Sequence, residues 1–290
     1  MIPVEFIPHA DPSHGLAFPH WEARLALEYH RRADRTVLAR RSHCGPLRVQ
    51  RDLYPEGEGT CHTIVVHPPG GIAGGDTLQV NAMLGPRSAA LLTTPGAGKW
   101  YRTEGAPARQ SLEFELAAGA SLEWLPQETI LFDGAIAQMS TRVQLAGDAV
   151  YTGWEILCFG RAASGHRYAT GLFRQNTEVF ADGKRLWSER AQVAGDDPLF
   201  ASPIGLQGHA VCGTLLAAGR DVSNDVLNAC RAVPAGDGAS AGVTRLPRVL
   251  IARWLGDAGE DARRYFSALW AHLRPAIKGC AAIEPRIWST

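Results

Sequence analysis

The chain has 290 residues, of which 46% are hydrophobic and 20% charged, so it can bury a sizeable core and is not a disordered chain. Its 29 basic and 29 acidic residues cancel to a formal net charge of zero, which leaves no basic footprint for nucleic acid or anionic lipid. No stretch approaches the roughly 20 apolar residues of a membrane span. The start, Met1-Ile2-Pro3-Val4-Glu5, has no basic region followed by an apolar run, so a cytoplasmic location is expected.

In chain order, residues 1–20 are rich in Pro and His and read as a loose arm to a single domain spanning residues 1–290. Short strand-like runs follow: Thr63-Ile64-Val65-Val66, Thr77-Leu78-Gln79-Val80, Ala89 to Thr93, Ser111 to Leu116 and Ser121 to Leu125. In the last two, apolar and polar residues alternate, the period of a half-buried strand. Asp182-Gly183 lies between Glu178-Val179-Phe180 and Arg185-Leu186-Trp187, a hairpin signal because both turn residues must tolerate positive φ. Two helices are predicted late. Asp221 to Val233 carries Val222, Val226, Leu227 and Cys230 at helical spacing. Asp257 to Leu273 carries Tyr265, Phe266, Leu269, Trp270 and Leu273 on one face, with an acidic cap before it and Pro275 after it. Pro234 to Gly242 reads as a loop and Val249 to Ala252 as a strand. The turn spacing predicts a mainly β core.

Several segments imitate active-site motifs. Gly96-Ala97-Gly98-Lys99 suggests a phosphate loop, but Thr93 stands where the first glycine is required and Trp100 where Ser or Thr is required. The run from Gly70 to Gly75 lacks dinucleotide-binding spacing and opens no predicted helix. Its four glycines suit a sharp turn, and Gly74→Val is expected to lower soluble yield. Cys44, Cys61, Cys158, Cys212, Cys230 and Cys280 form no C-x-x-C pair, and most of them sit among apolar residues and read as small buried hydrophobes. Cys61, His62 and His67 cluster near His43 and Cys44, yet in a strand Cys61 and His67 share a face that His62 does not. No catalytic constellation is visible.

Four blocks are distinctive: His67-Pro68-Pro69-Gly70-Gly71-Ile72-Ala73-Gly74-Gly75-Asp76, Thr93 to Arg102, Glu123 to Phe132, and Glu155-Ile156-Leu157-Cys158-Phe159-Gly160-Arg161. Their order and separation resemble the urease accessory protein UreD (UreH) family, from about residue 20 to the C-terminus. The resemblance implies a β-helical winding of many short strands with two α-helices near the C-terminal third. It implies a non-catalytic chaperone that binds UreF, through which the GTPase UreG is recruited. It further implies docking of that complex on apo-urease, GTP-dependent insertion of nickel, and an internal water-filled tunnel as the metal's route.

A conduit must bind nickel(II) only transiently, and spaced carboxylates suit that better than a thiolate cage. Acids inside apolar strand context are therefore the candidates. Asp76 precedes the run Thr77 to Val80, Glu155 lies within Trp154-Glu155-Ile156, and Glu189 follows Trp187-Ser188. Glu128 and Asp133 flank Thr129 to Phe132. The ordinary alternative for each is a turn cap or a partner for an arginine such as Arg161 or Arg190. The family's tunnel acids match Asp76, Glu155 and Glu189, which are taken as a transient nickel path. For the partner surface, the C-terminal helix region with Trp270 or Trp288 as an anchor competes with core packing of Trp270. Two other function classes remain open. One is a stand-alone metal-binding storage or sensor protein using Cys61, His62 and His67. The other is a β-helical carbohydrate-active enzyme with paired carboxylates.

Overall fold

The computed structural model describes residues 20–103, 105–161 and 164–289. The expected N-terminal arm, apart from His20, lies outside the described residues. The chain winds back and forth between two sheets as a β-solenoid of about four turns, with both helices in the C-terminal third. The first coil runs from β1 (Glu22–Arg32) through a hairpin with β2 (Arg35–Cys44) and the short β3 (Arg48–Val49) to β4 (Cys61–Val66). The second is β5 (Thr77–Leu84), β6 (Ala89–Thr93) and β7 (Gly98–Trp100). The third is β8 (Ala108–Leu116), β9 (Ser121–Trp124) and β10 (Thr129–Leu131). The fourth is β11 (Ile136–Leu145) and β12 (Val150–Arg161), followed by the short β13 (His166–Arg167) and the hairpin of β14 (Leu172–Ala181) and β15 (Lys184–Ala194).

The coils stack in parallel, so β1, β5, β8, β11 and β14 form one sheet and β4, β6, β9 and β12 form the other. The second sheet is extended antiparallel by β16 (Val211–Ala218), β18 (Val249–Gly256) and β17 (Ser240–Leu246). The predicted hairpin closes at Asp182 and Gly183, with φ of 49° and 75°. Gly98 to Trp100 forms β7 and opens no helix.

Alternation explains which side chains meet. The inward faces of both sheets build one apolar core that includes Leu25, Val80, Leu112, Phe114, Val143 and Phe173 opposite Leu92, Leu122, Tyr151 and Leu216. The outer face of the second sheet is apolar too. It is covered by α1 (Asn224–Ala232) and α2 (Gly259–Lys278), which with Trp154, Ile156, Leu215 and Trp254 form a second core. Being covered on both faces, β9 and β12 are buried along nearly their whole length, as parallel strands with two partners must be. Among the described residues, nothing covers the outer face of the first sheet in this way.

Two expectations are corrected, and the choice left open for Trp270 is decided. Asp257 does not cap α2: its carboxylate accepts from the Ala210 N–H at 3.3 Å and contacts His209 at 3.1 Å, and the cap position is Ala258. The helix continues past Pro275 to Lys278 and ends at Gly279, whose φ is 83°. A mid-helix proline costs about 3 kcal/mol, but Arg274 and Lys278 are held by buried carboxylates and Ile277 is 3% exposed, which offsets the lost backbone bond. Trp270 is 1% exposed, and its indole N–H donates to Glu123 at 2.6 Å, so it is a core residue and no exposed anchor. Trp288 packs on Trp154 and Trp270. At the glycine-rich turn, a Cβ on Gly74 would strike the Thr103 side chain and come within 2.9 Å of the Ala106 carbonyl oxygen, so the turn requires glycine there.

Candidate functional site

Inward positions in a sandwich of this kind are apolar by default, and one row on each sheet departs from that. On the first sheet, Thr141, Thr177 and Glu189 are register partners across β11, β14 and β15. On the second, Glu155, Thr214 and Arg253 are register partners across β12, β16 and β18. Each shares the facing of inward core residues two positions away, such as Val143, Val179, Leu157 and Leu216. Thr141, Thr177, Glu189, Glu155 and Thr214 line a single cavity of about 40 Å³, together with Trp124 and Gln175.

A larger cavity of about 340 Å³ shares Trp124 and Glu155 with the small one. Its walls include Val80, Leu112 and Met139 from the core, His67 and Gly70 to Ile72 from the glycine-rich turn, and the segments Thr94 to Trp100 and Pro126 to Thr129. Glu155 thus sits where the two spaces meet. Among the described residues its carboxylate accepts one hydrogen bond, from the Thr129 hydroxyl at 2.6 Å. Burial, which penalises the charged form, pushes its carboxyl up to about 7 despite that bond. The buried indole N–H of Trp124 and the buried Nε2 of His67, both on the cavity walls, have no acceptor or donor within the described residues. Burial also pushes the His67 pKa down, against the opposing pull of Asp76, which favours the neutral imidazole that metals bind.

The ends of this polar strip carry charge. Glu189 pairs with Arg253, whose guanidinium reaches across from the other sheet and also donates to the Thr214 hydroxyl at 2.7 Å. Glu128, on the wall of the larger cavity, pairs with Arg263 at 3.2 Å. Of the three acids taken from the sequence, the fold therefore brings Glu155 and Glu189 to one space. Asp76 lines neither cavity. Its two carboxylate oxygens accept from the backbone N–H groups of Trp21 at 2.9 Å and Ala73 at 2.8 Å, which tie the glycine-rich turn to the start of β1. Asp133 likewise accepts from the backbone of Ala169 and Thr170.

The Cys/His cluster does not assemble. Cys61 points inward beside Thr63, and burial pushes its thiol up to about 11. His62 points the other way and contacts Glu56 at 2.6 Å, while His67 faces the larger cavity. Among the described residues no group of three or more His, Cys, Asp or Glu side chains could hold a metal ion.

Sequence inspection missed the polar partners Thr141, Thr177, Thr214 and Arg253. The only local signal is a polar side chain at a position whose neighbours two residues away are core. It missed a second buried assembly as well. Glu123 and Glu56 bind Arg274 at 2.9 and 2.6 Å, and Lys278 reaches Glu123 at 3.2 Å. Burial opposes charge on Glu56, but the bonds from His62 and Arg274, with Lys278 close by, outweigh it and hold the carboxyl down at about 2. Glu123 is lowered in the same sense: burial is outweighed by Lys278, Arg274 and Trp270.

Residues 22–289 match the family profile described as UreD urease accessory protein. A protein of Dechloromonas aromatica (strain RCB) bearing the name Urease accessory protein UreD is 52% identical over 98% of this chain and 99% of its own length. Proteins of the same name from Azoarcus sp. (strain BH72) and Pseudomonas aeruginosa (strain PAO1) are 52% and 50% identical, each over 94% of this chain and 96% of their own length. With the solenoid and its covering helices in place, these likenesses establish that the chain belongs to the UreD family of urease accessory proteins.

Proposed function

We propose that this chain offers nickel(II) a loosely held route to apo-urease. In this reading it is the urease-contacting, non-catalytic member of a cytoplasmic complex with UreF and, through UreF, the GTPase UreG. The observation that supports this best is the pair of facing polar rows, with Glu155 where two cavities meet inside an otherwise apolar sandwich. Carboxylate and neutral imidazole are acceptable nickel(II) donors, and among the described residues no cysteine stands on the cavity walls to retain the ion as thiolate. His67 and Glu128 stand on the wall of the larger space, Glu155 at the junction and Glu189 at the far end, and among the described residues no three such side chains converge to hold the ion. Weak multi-site binding of that kind permits exit as well as entry. A carboxyl that is half protonated near neutrality can exchange its proton for the cation, which avoids a bare buried charge before the ion arrives.

The storage or sensor reading fares worse, because Cys61, His62 and His67 face three different surroundings. A glycosidase reading has two carboxylates on each cavity, but the smaller space, about 40 Å³, does not admit a sugar ring, and in the larger one Glu128 is tied to Arg263 at 3.2 Å. The test is activation of apo-urease with nickel, GTP, UreF, UreG and this chain. Glu155→Gln and Glu189→Gln are expected to lower activation severalfold while the complex elutes intact. Normal activation by both variants would sink the route.

A further inference from the structure

The uncovered face of the first sheet is polar, and its charges are segregated. Register places Thr77, Arg109, Gln138, Arg174 and Gln192 in one row across five strands. The next outward row contains Ser111, Ser140, Asn176 and Arg190. Arg109, Arg174 and Arg190 are exposed and line one shallow groove. Each is held in the same way, through Nε alone and by a neutral amide. Arg109 donates to Gln138 at 3.1 Å, Arg174 to Gln192 at 2.9 Å, and Arg190 to Asn176 at 3.3 Å. None of the three has an ion-pair partner or an acceptor for its terminal amino groups among the described residues. Further along the same strands the pattern changes: Arg142 and Arg185 both pair with Glu178, at 3.5 and 3.8 Å.

Three guanidinium groups are thus oriented by their stems, while the fork that suits a carboxylate is left open. Arg109 and Arg174 stand two strands apart, about 10 Å, so the face presents separate positive points instead of one pocket. Glu113, Glu115 and Glu178 lie further along the same strands and would repel a polyanion that followed them. The outward rows of the patch offer no large apolar side chain to a lipid surface. A protein surface with discrete carboxylates fits both features. We infer that this arginine face docks an acidic protein surface, and that the surface belongs to apo-urease; the second statement rests on the docking reading proposed above.

The experiment uses the full chain in complex with UreF and measures its affinity for purified apo-urease at low and high salt. The variant R109Q/R174Q/R190Q is expected to weaken binding about tenfold or more at low salt, and the corresponding Arg→Glu triple to weaken it further, as loss of complementary charge across an interface does. Arg142→Gln, whose parent is already paired, is expected to bind as the parent does, and all variants should retain UreF. Parental affinity in both triples would overturn the inference while leaving the docking reading intact. Failure of the unmodified complex to bind apo-urease would overturn the docking reading and the inference with it. Arginine-dependent binding to phosphatidylserine vesicles or duplex DNA, with apo-urease binding unaffected, would also overturn it.

Discussion

At Glu155 a cost to the fold and the proposed role in the metal's route fall on one side chain. Its folded pKa is raised from 4.5 to about 7, so the fold favours the neutral form. The associated stability is fully present below about pH 4.5 and is lost as pH rises through about 7. Above that, the protein carries a buried charge costing on the order of 3 kcal/mol. Glu155→Gln removes that cost and is expected to unfold at a higher urea midpoint than the parent at pH 8, with the gap closing towards pH 5. Stability should rise while activation falls, a combination that a purely structural residue would not produce. Asp76 should behave in the opposite way. Asp76→Ala leaves two backbone N–H groups without their acceptors and is expected to cost about 2–3 kcal/mol, read as a lower denaturant midpoint. Activation per folded molecule should stay close to the parent's.

At the scale of elements, α2 is held by charge at one end and by apolar packing along its length. Arg274 and Lys278 meet Glu123 and Glu56 where all four side chains are almost fully buried. Removing one partner strands the others without water. Glu123→Ala is therefore expected to cost about 3–5 kcal/mol, measured by urea unfolding. The pH dependence has a fixed sign. Glu56 and Glu123 both have lowered folded pKa values, so the contribution of Glu56 is present above about 4.5 and is lost as pH falls towards about 2, and that of Glu123 is lost on acidification in the same sense. Hydrogen exchange in the last turns of α2 should rise over that acid window before exchange in β8 or β11 does. The Gly74 prediction belongs to this scale as well. Its turn is packed against Thr103 and Ala106, so Gly74→Val should fail by folding poorly, seen as lost soluble yield.

At the scale of the whole molecule, the two faces of the sandwich are treated unequally. The second sheet carries apolar residues outward, and α1 with α2 covers them. The first sheet carries polar rows outward and needs no cover. Deleting residues 257–290 would uncover Trp154, Ile156, Leu215 and Trp254, a patch of the kind that drives association. The truncated chain is expected in the insoluble fraction, whereas polar substitutions on the open face should leave it soluble.

Much of this architecture was legible in the linear chain. Alternation in Ser111 to Leu116, the Asp182-Gly183 turn and the apolar stripe from Tyr265 to Leu273 depend on neighbours a few residues apart, and each formed the expected element. The distinctive blocks carried the family as well, because they are local strings. Where α2 stops was not legible, since the turn around Pro275 is held by burial of Ile277 and by the bonds of Arg274 to carboxylates 151 and 218 residues away from it in sequence. The site divides along the same line. Glu155 and Glu189 stand out by sequence as acids in apolar strands. That they share a cavity, and that Asp76 does not, follows from sheet register and coil stacking, which set residues from different coils face to face. Short-range periodicity determines which strands and helices exist. Which buried charges meet, and which are left open, was decided only when the coils closed on one another, because electrostatic partners are chosen by distance in space and burial has no counterpart in the linear chain.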